Sequence, residues 1–223
     1  MRYLKGQMAK INIIIFDGDG TIFDSMPSCI NAFSGILEKR YDIPRGESES
    51  YLVSRIGAPL NLIFYEILQK RGKPTDSIDV LVNEFHELME FDVPIFDDVK
   101  PALERLSAYK RFISTNLRQN ILDARVRYHK LENHLNGYFG LNGFKNKETH
   151  VNAIISSYGL SGSDLKDSIV LVGDGPGDME LARKFGIIGI GRIGTTDADT
   201  LKKAGASYTI NTLLETENVL GQL

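Results

Sequence analysis

Apolar residues in this chain gather in short runs that stop at glycine, asparagine or an acid, and between the runs they recur at helical spacing. INIIIF at 11–16 ends on Asp17-Gly18-Asp19-Gly20, and RFIST at 111–115, SIVLV at 168–172, GIIGI at 186–190 and ASYTI at 206–210 each meet Gly, Asn or Asp. Runs this short and apolar on both faces predict strands of a parallel sheet covered by helices on two sides. Helical patterns lie between them at Pro101–Tyr109, Leu117–Leu135, Glu148–Tyr158 and Asp178–Phe185. Alternating strands and helices with right-handed crossovers give an α/β fold, a doubly wound parallel-sheet Rossmann-like core.

Residues 25–93 break that alternation. Ile30, Phe33 and Leu37 share one helical face, Leu60, Ile63, Phe64, Ile67 and Leu68 form a stripe behind Pro59, and Leu81, Phe85, Leu88 and Met89 form a third. An inserted all-helical domain is expected at 25–93, with the core made from 1–24 and 94–223. It leaves from the carboxyl end of the first strand, returning near Asp92-Val93-Pro94. Ligands of open α/β sheets bind at that edge, so a lid is expected there.

Composition narrows the class. The 223 residues are 42% hydrophobic and 25% charged, which excludes a chain disordered throughout. No apolar run approaches the roughly 18 residues of a membrane helix, and MRYLKGQMAK at the start leads into no signal-type apolar region. The single cysteine, Cys29, excludes an intramolecular disulfide framework. A net charge of −3 draws the whole chain neither onto nucleic acid nor onto an anionic membrane. A cytoplasmic globular protein, monomer or homodimer, with ample length to bury a core is expected.

The acidic stretch Asp17-Gly18-Asp19-Gly20-Thr21 carries the chemistry. A dinucleotide fingerprint counted from Gly18 would place glycine where Phe23 stands, and its carboxylates would repel a pyrophosphate. An EF-hand loop from Asp17 would need Gly and Glu where the chain has Ile22 and Ser28. Two readings remain: an acidic turn bonding local amides, or a carboxylate nucleophile with a second acid two residues on. Further polar groups end later elements: Ser114-Thr115-Asn116 after the second strand run, Lys147 before a helix, and Gly173-Asp174-Gly175-Pro176-Gly177-Asp178 after the strand at 168–172. Alone, each reads as a helix cap, a surface lysine or a turn. Together they would require acid, hydroxyl, amine and acid groups to end successive core elements by accident. The histidines His86, His129, His134 and His150 are scattered and suggest no zinc-type set.

Phe16-Asp17-Gly18-Asp19-Gly20-Thr21-Ile22-Phe23-Asp24-Ser25 resembles the first motif of the haloacid dehalogenase superfamily. Ser114-Thr115-Asn116, Lys147 and Gly173–Asp178 resemble its second, third and fourth motifs, in the same order over about 11–210. The insertion is similar to the C1-type helical cap of phosphoglycolate phosphatase-like members. The resemblance implies a Mg²⁺-dependent phosphatase acting on a small phosphorylated metabolite through an aspartyl-phosphate. Asp17 would be the nucleophile, Asp19 the general acid and base, Thr115 and Asn116 the phosphate ligands, and Lys147 the balancing charge. Asp17, Asp174 and the Asp19 carbonyl would hold Mg²⁺, with Asp178 a direct or outer ligand. Arg55, before Ile56-Gly57-Ala58, is a candidate for reading the substrate's non-reacting part. Gly18 stands where the family commonly has a bulky apolar residue, and Lys147 lacks a following P-x-P, which leaves Lys145 as a rival. Dehalogenases of the superfamily lack the acid found at Asp19. A phosphomutase and a catalytically silent binding or regulatory protein remain as alternatives.

Overall fold

The computed structural model describes residues 12–55, 59–89, 93–141 and 146–223. The chain runs through β1 (Ile13–Phe16), α1 (Met26–Tyr41), α2 (Arg45–Ser54), α3 (Leu60–Lys70), α4 (Ile78–Leu88), α5 (Val99–Arg105), β2 (Lys110–Arg118) and α6 (Gln119–Tyr128). It continues with β3 (Gly137–Leu141), α7 (Lys147–Ser157), β4 (Ile169–Gly173), α8 (Pro176–Phe185), β5 (Ile188–Arg192), α9 (Ala198–Ala204), β6 (Tyr208–Ile210) and α10 (Thr216–Leu220). The strands form one six-stranded sheet in the order β3-β2-β1-β4-β5-β6, and every neighbouring pair is parallel. This is the expected doubly wound α/β core. All four residues of β1 are fully buried, as a central strand covered on both faces requires. Ile13, Ile15, Ile169 and Leu171 pack with Val151, Ile154, Met179 and Leu201 from α7, α8 and α9.

Residues 24–94 make a separate compact unit. The chain leaves the sheet unit at Phe23 and re-enters at Ile95, and these two residues form an antiparallel bridge. Inside the helical unit the Phe33 and Phe64 rings lie 4.7 Å apart, with Leu52, Ile63, Ile67, Leu68 and Leu81 buried. The predicted return point Asp92, like Ile56-Gly57-Ala58, lies outside the described residues.

Four segments differ from the sequence pattern. The helix expected over 117–135 covers only Gln119–Tyr128, because β2 continues to Arg118, which pairs with Leu141 of β3. Lys130 at φ 56° then turns the chain away. The helix expected to Tyr109 stops at Arg105. The strand β3 has no counterpart among the predicted runs: its sequence is GYFGL, two glycines dilute the apolar signal, and its place at the sheet edge leaves most of it half-buried. The helix α2 was likewise absent from the pattern. RGESESYLVS buries only Ser48 and Leu52, so no apolar stripe marks it. Tertiary contacts hold it instead, including the hydrogen bond from Arg71 Nε to Glu47 at 2.7 Å. No helix among the described residues is long and apolar enough to cross a membrane.

Candidate active site

Strand register delivers the site. Phe16 at the end of β1 is level with Ile113 of β2 and Val172 of β4. Asp17, Ser114-Thr115 and Gly173-Asp174 therefore follow at one height on the carboxyl edge. The chain switches sides of the sheet between β1 and β4, the place where open α/β sheets bind ligands. The Asp17 amide donates to the Val172 carbonyl at 2.8 Å, fixing where its side chain departs.

The loop after Asp17 is closed on itself. The Gly18 carbonyl accepts from Ile22 N at 2.8 Å and Phe23 N at 2.9 Å, and Gly20 N donates to the Phe23 carbonyl at 2.8 Å. Gly20 has φ 78°, and a β-carbon there would collide with the Asp174 carboxylate. Glycine thus meets two demands at position 20, left-handed backbone and close approach. At Gly18, a β-carbon would stand 2.8 Å from Thr115 Cβ and Oγ1. Thr115 occupies the space that a bulkier residue would need. Thr21 Oγ1 donates to Asp174 Oδ1 at 3.3 Å. Arg192, at the end of β5, donates to the Thr21 carbonyl at 3.0 Å and to Asp98 at 3.2 Å, with its guanidinium 3.9 Å from the Phe96 ring centroid.

Lys147 opens α7 behind a capping box in which Asn146 accepts from Thr149 N at 3.1 Å. Its ammonium lies 2.5 Å from Asp17 Oδ1 and 2.7 Å from Asp178 Oδ1. Asp178, in the first turn of α8, also accepts from Gly175 N at 3.3 Å. Ligand oxygens of Asp17, Asp174 and Asp178 lie within 4.8 Å of one another, and all three residues are buried. Burial raises the Asp17 carboxyl well above its ordinary range, Asp178 and Asp174 push it further, and Lys147 pulls back. Asp174 is also raised, first by burial and then by Asp178, against the Thr195 hydroxyl. Burial alone would lower the Lys147 ammonium, but Asp17 and Asp178 outweigh it and raise it. One ammonium among three crowded carboxylates leaves excess negative charge. Hard oxygen donors of this kind suit Mg²⁺ or a similar hard cation.

Thr115 is buried and its Oγ1 accepts from Leu117 N at 3.2 Å, while Asn116, next along β2, is exposed. Lys145 lies outside the described residues. Arg55, in the helical unit, donates to Glu66 at 2.8 Å. Two features escaped the motifs. Asp19 Oδ1 accepts from Arg125 Nη1 at 2.9 Å; Arg125 follows Ile121 and Leu122 by four and three residues, and an arginine on an apolar stripe was the available signal. Ser114 Oγ lies 2.9 Å from Nδ1 of His150, which is fully buried and stacked on Phe139.

The family model described as haloacid dehalogenase-like hydrolase matches residues 14–191. The chain belongs to that family. A protein of Caldanaerobacter subterraneus provisionally named pyrophosphatase PpaX is 26% identical over 184 residues, 80% of each chain. Among solved structures, a predicted phosphoglycolate phosphatase from Haemophilus somnus superposes with a TM-score of 0.81 at 17% identity, covering 96% of this chain and 99% of that one. A Thermotoga maritima protein provisionally assigned as a beta-phosphoglucomutase gives 0.76 at 21% identity over 96% and 100%. These two likenesses concern the fold.

Proposed function

We propose that this family member is a Mg²⁺-dependent phosphatase that hydrolyses a small-molecule phosphate monoester through an aspartyl-phosphate on Asp17. The observation that carries the reading is the buried trio Asp17, Asp174 and Asp178 gathered around Lys147 at the carboxyl edge of the sheet. Asp17, Asp174 and the Asp19 carbonyl would hold the cation, with Asp178 a direct or outer ligand, and the ion would offset charge on the carboxylates and the phosphate. Asp17 attacks phosphorus in line as the leaving oxygen departs, which splits one hard displacement into two easier ones. Asp19 gives a proton to the leaving oxygen and then takes one from the hydrolytic water. Thr115 and Asn116 hydrogen-bond the phosphoryl oxygens, and Lys147 balances charge between nucleophile and phosphate.

On this reading residues 24–94 are the cap, tied to the core by two crossings, and Arg55 recognises the non-reacting part of the substrate. A cytoplasmic setting, a monomer or homodimer, and no nucleic-acid or membrane partner complete it. The test is a Mg²⁺-supplemented screen of phosphorylated metabolites, with inorganic pyrophosphate included because of the likeness to PpaX. Turnover should vanish reversibly in EDTA and in Asp17→Asn. Activity in excess EDTA, or a phosphoryl adduct on another residue, would overturn the mechanism. A requirement for a bisphosphorylated sugar activator would instead mark a mutase. Arg55→Ala should raise KM for the screened substrate and leave p-nitrophenyl phosphate hydrolysis nearly unchanged; equal effects would remove the specificity role.

A further inference from the structure

The side chain of Arg125 is 1% exposed, although it carries a full charge and sits in the middle of α6. Its neighbours on that buried face are Ile121, Leu122 and Val126. Methionine or leucine would continue the same stripe without the penalty of burying a guanidinium. What the guanidinium reaches is the loop beside the nucleophile. Nη1 donates to Asp19 Oδ1 at 2.9 Å, and the guanidinium carbon lies 5.2 Å from the centroid of the Phe23 ring. Asp19 and Phe23 are themselves bridged, so a single side chain grips both ends of the turn that carries Asp19.

The Asp19 side chain is 39% exposed. A carboxylate that open can rotate away from the reaction, whereas acid–base work needs one oxygen held at a fixed place. We propose that Arg125 is a positioning residue for Asp19: it anchors Oδ1, so that Oδ2 is the oxygen presented to the phosphoryl group. In the first step the bond from Asp17 to phosphorus forms, the bond from phosphorus to the leaving oxygen breaks, and the proton on Asp19 Oδ2 passes to that oxygen. In the second step water attacks phosphorus, the bond to Asp17 breaks, and the water's proton returns to Oδ2. Arg125 gains and loses nothing in either step. The planar guanidinium fork fixes direction as well as charge, which an ammonium does less well.

This inference rests on the acid–base role proposed for Asp19, and the experiment separates the two. Phenyl phosphate has a poor leaving group and p-nitrophenyl phosphate a good one, so only the first depends strongly on proton donation. The ratio of kcat/KM for the two substrates is measured in wild type, Arg125→Met, Arg125→Lys, Asp19→Ala and the double variant Asp19→Ala/Arg125→Met, each at saturating Mg²⁺. Arg125→Met is expected to lose about tenfold more on phenyl phosphate than on p-nitrophenyl phosphate. Arg125→Lys should fall in between, and the double variant should be no worse than Asp19→Ala. Should Arg125→Met fail to fold, Arg125→Lys, which keeps the buried charge, carries the test through its selective loss on phenyl phosphate. Equal losses on both substrates, or single-variant losses that multiply in the double variant, make Arg125 merely structural and overturn the proposal. If Asp19→Ala itself leaves the ratio unchanged, the acid–base role falls and this inference falls with it. If Asp19→Ala shifts the ratio and the arginine variants do not, only the inference about Arg125 falls.

Discussion

Replacing Lys147 by methionine tests the electrostatic core of the site, and its size follows from the geometry. The ammonium lies 2.5 Å from one buried carboxylate and 2.7 Å from another. At an effective dielectric of about 20, each such pair attracts by about 6 kcal/mol. Desolvating the lysine offsets several kcal/mol of that. Removing one partner of a buried pair leaves carboxylates without their counter-charge, a loss of about 3–5 kcal/mol. For a chain of this size the melting temperature in EDTA should drop by roughly 6–20 °C. Methionine fills a similar volume, so the loss is not one of packing.

The pH and metal dependence of that loss sharpen the test. Burial and the neighbouring acids already raise the Asp17 carboxyl, and without Lys147 it rises further. A group whose folded pKa is raised contributes stability below its unfolded pKa and loses it as pH rises through the folded value. The deficit of Lys147→Met should therefore be smaller near pH 5 and larger near pH 8. Adding Mg²⁺ should raise the melting temperature of the variant more than that of wild type at pH 8, because the ion meets more uncompensated charge. Turnover of p-nitrophenyl phosphate should fall by at least about a hundredfold even in Mg²⁺. Thermal melts in EDTA and in Mg²⁺ at the two pH values supply the measurement. A variant that melts with wild type in EDTA at pH 8 would refute the pairing argument.

Two other perturbations have definite outcomes. Gly20→Ala must accept φ 78° and drive its methyl into the Asp174 carboxylate, so it should destabilise the protein by about 1–3 kcal/mol and shrink the stabilisation by Mg²⁺; an unchanged Mg²⁺ titration would show that Asp174 is not a ligand. His150 is lowered by burial and then by Lys147, against a hydrogen bond with the Gly140 backbone, so its contribution is present above about pH 6.5 and is lost as pH falls through the depressed folded value. His150→Asn, which keeps a polar atom near Ser114 but does not titrate, should abolish that acid-side slope of at most about 1.4 kcal/mol per pH unit, and an unaltered melting profile between pH 7 and 5 would contradict it.

The core was legible because its signals are local. The runs that became β1, β2, β4, β5 and β6 are β-branched, apolar and cut off by glycine, asparagine or an acid. The groups that end them are the ones the register brings to one edge. What escaped was set by partners distant in sequence. The strand β3 is GYFGL, and it is a strand because β2 runs on to pair Arg118 with Leu141. The helix α2 has too few apolar positions to show a stripe. Among the site residues, the acids announced themselves by clustering in the chain. Arg125, 106 residues beyond Asp19, and Arg192, 171 residues beyond Thr21, looked like ordinary helix and strand-end cations. Their contacts with Asp19, Thr21 and Asp98 arise only once the sheet is assembled.

Those supporting groups also divide the negative charge in a way that bears on where a cation enters. Arg192 answers Asp98, which accepts from Leu213 N at 2.7 Å as well. Arg125 answers Asp19, and Lys147 is shared by Asp17 and Asp178. Asp174 is held instead by the hydroxyls of Thr21 and Thr195, which carry no charge. On the proposed mechanism the strongest pull on an entering Mg²⁺ would come from Asp174, with Asp17 and Asp178 next because each has only a share of the ammonium. That order would suit the chemistry: Asp174 could anchor the ion without reacting, leaving Asp17 to carry the phosphoryl group. On this proposal the charge distribution sets Asp174, which would only hold the cation, apart from Asp17 on the neighbouring strand, which would both hold it and attack.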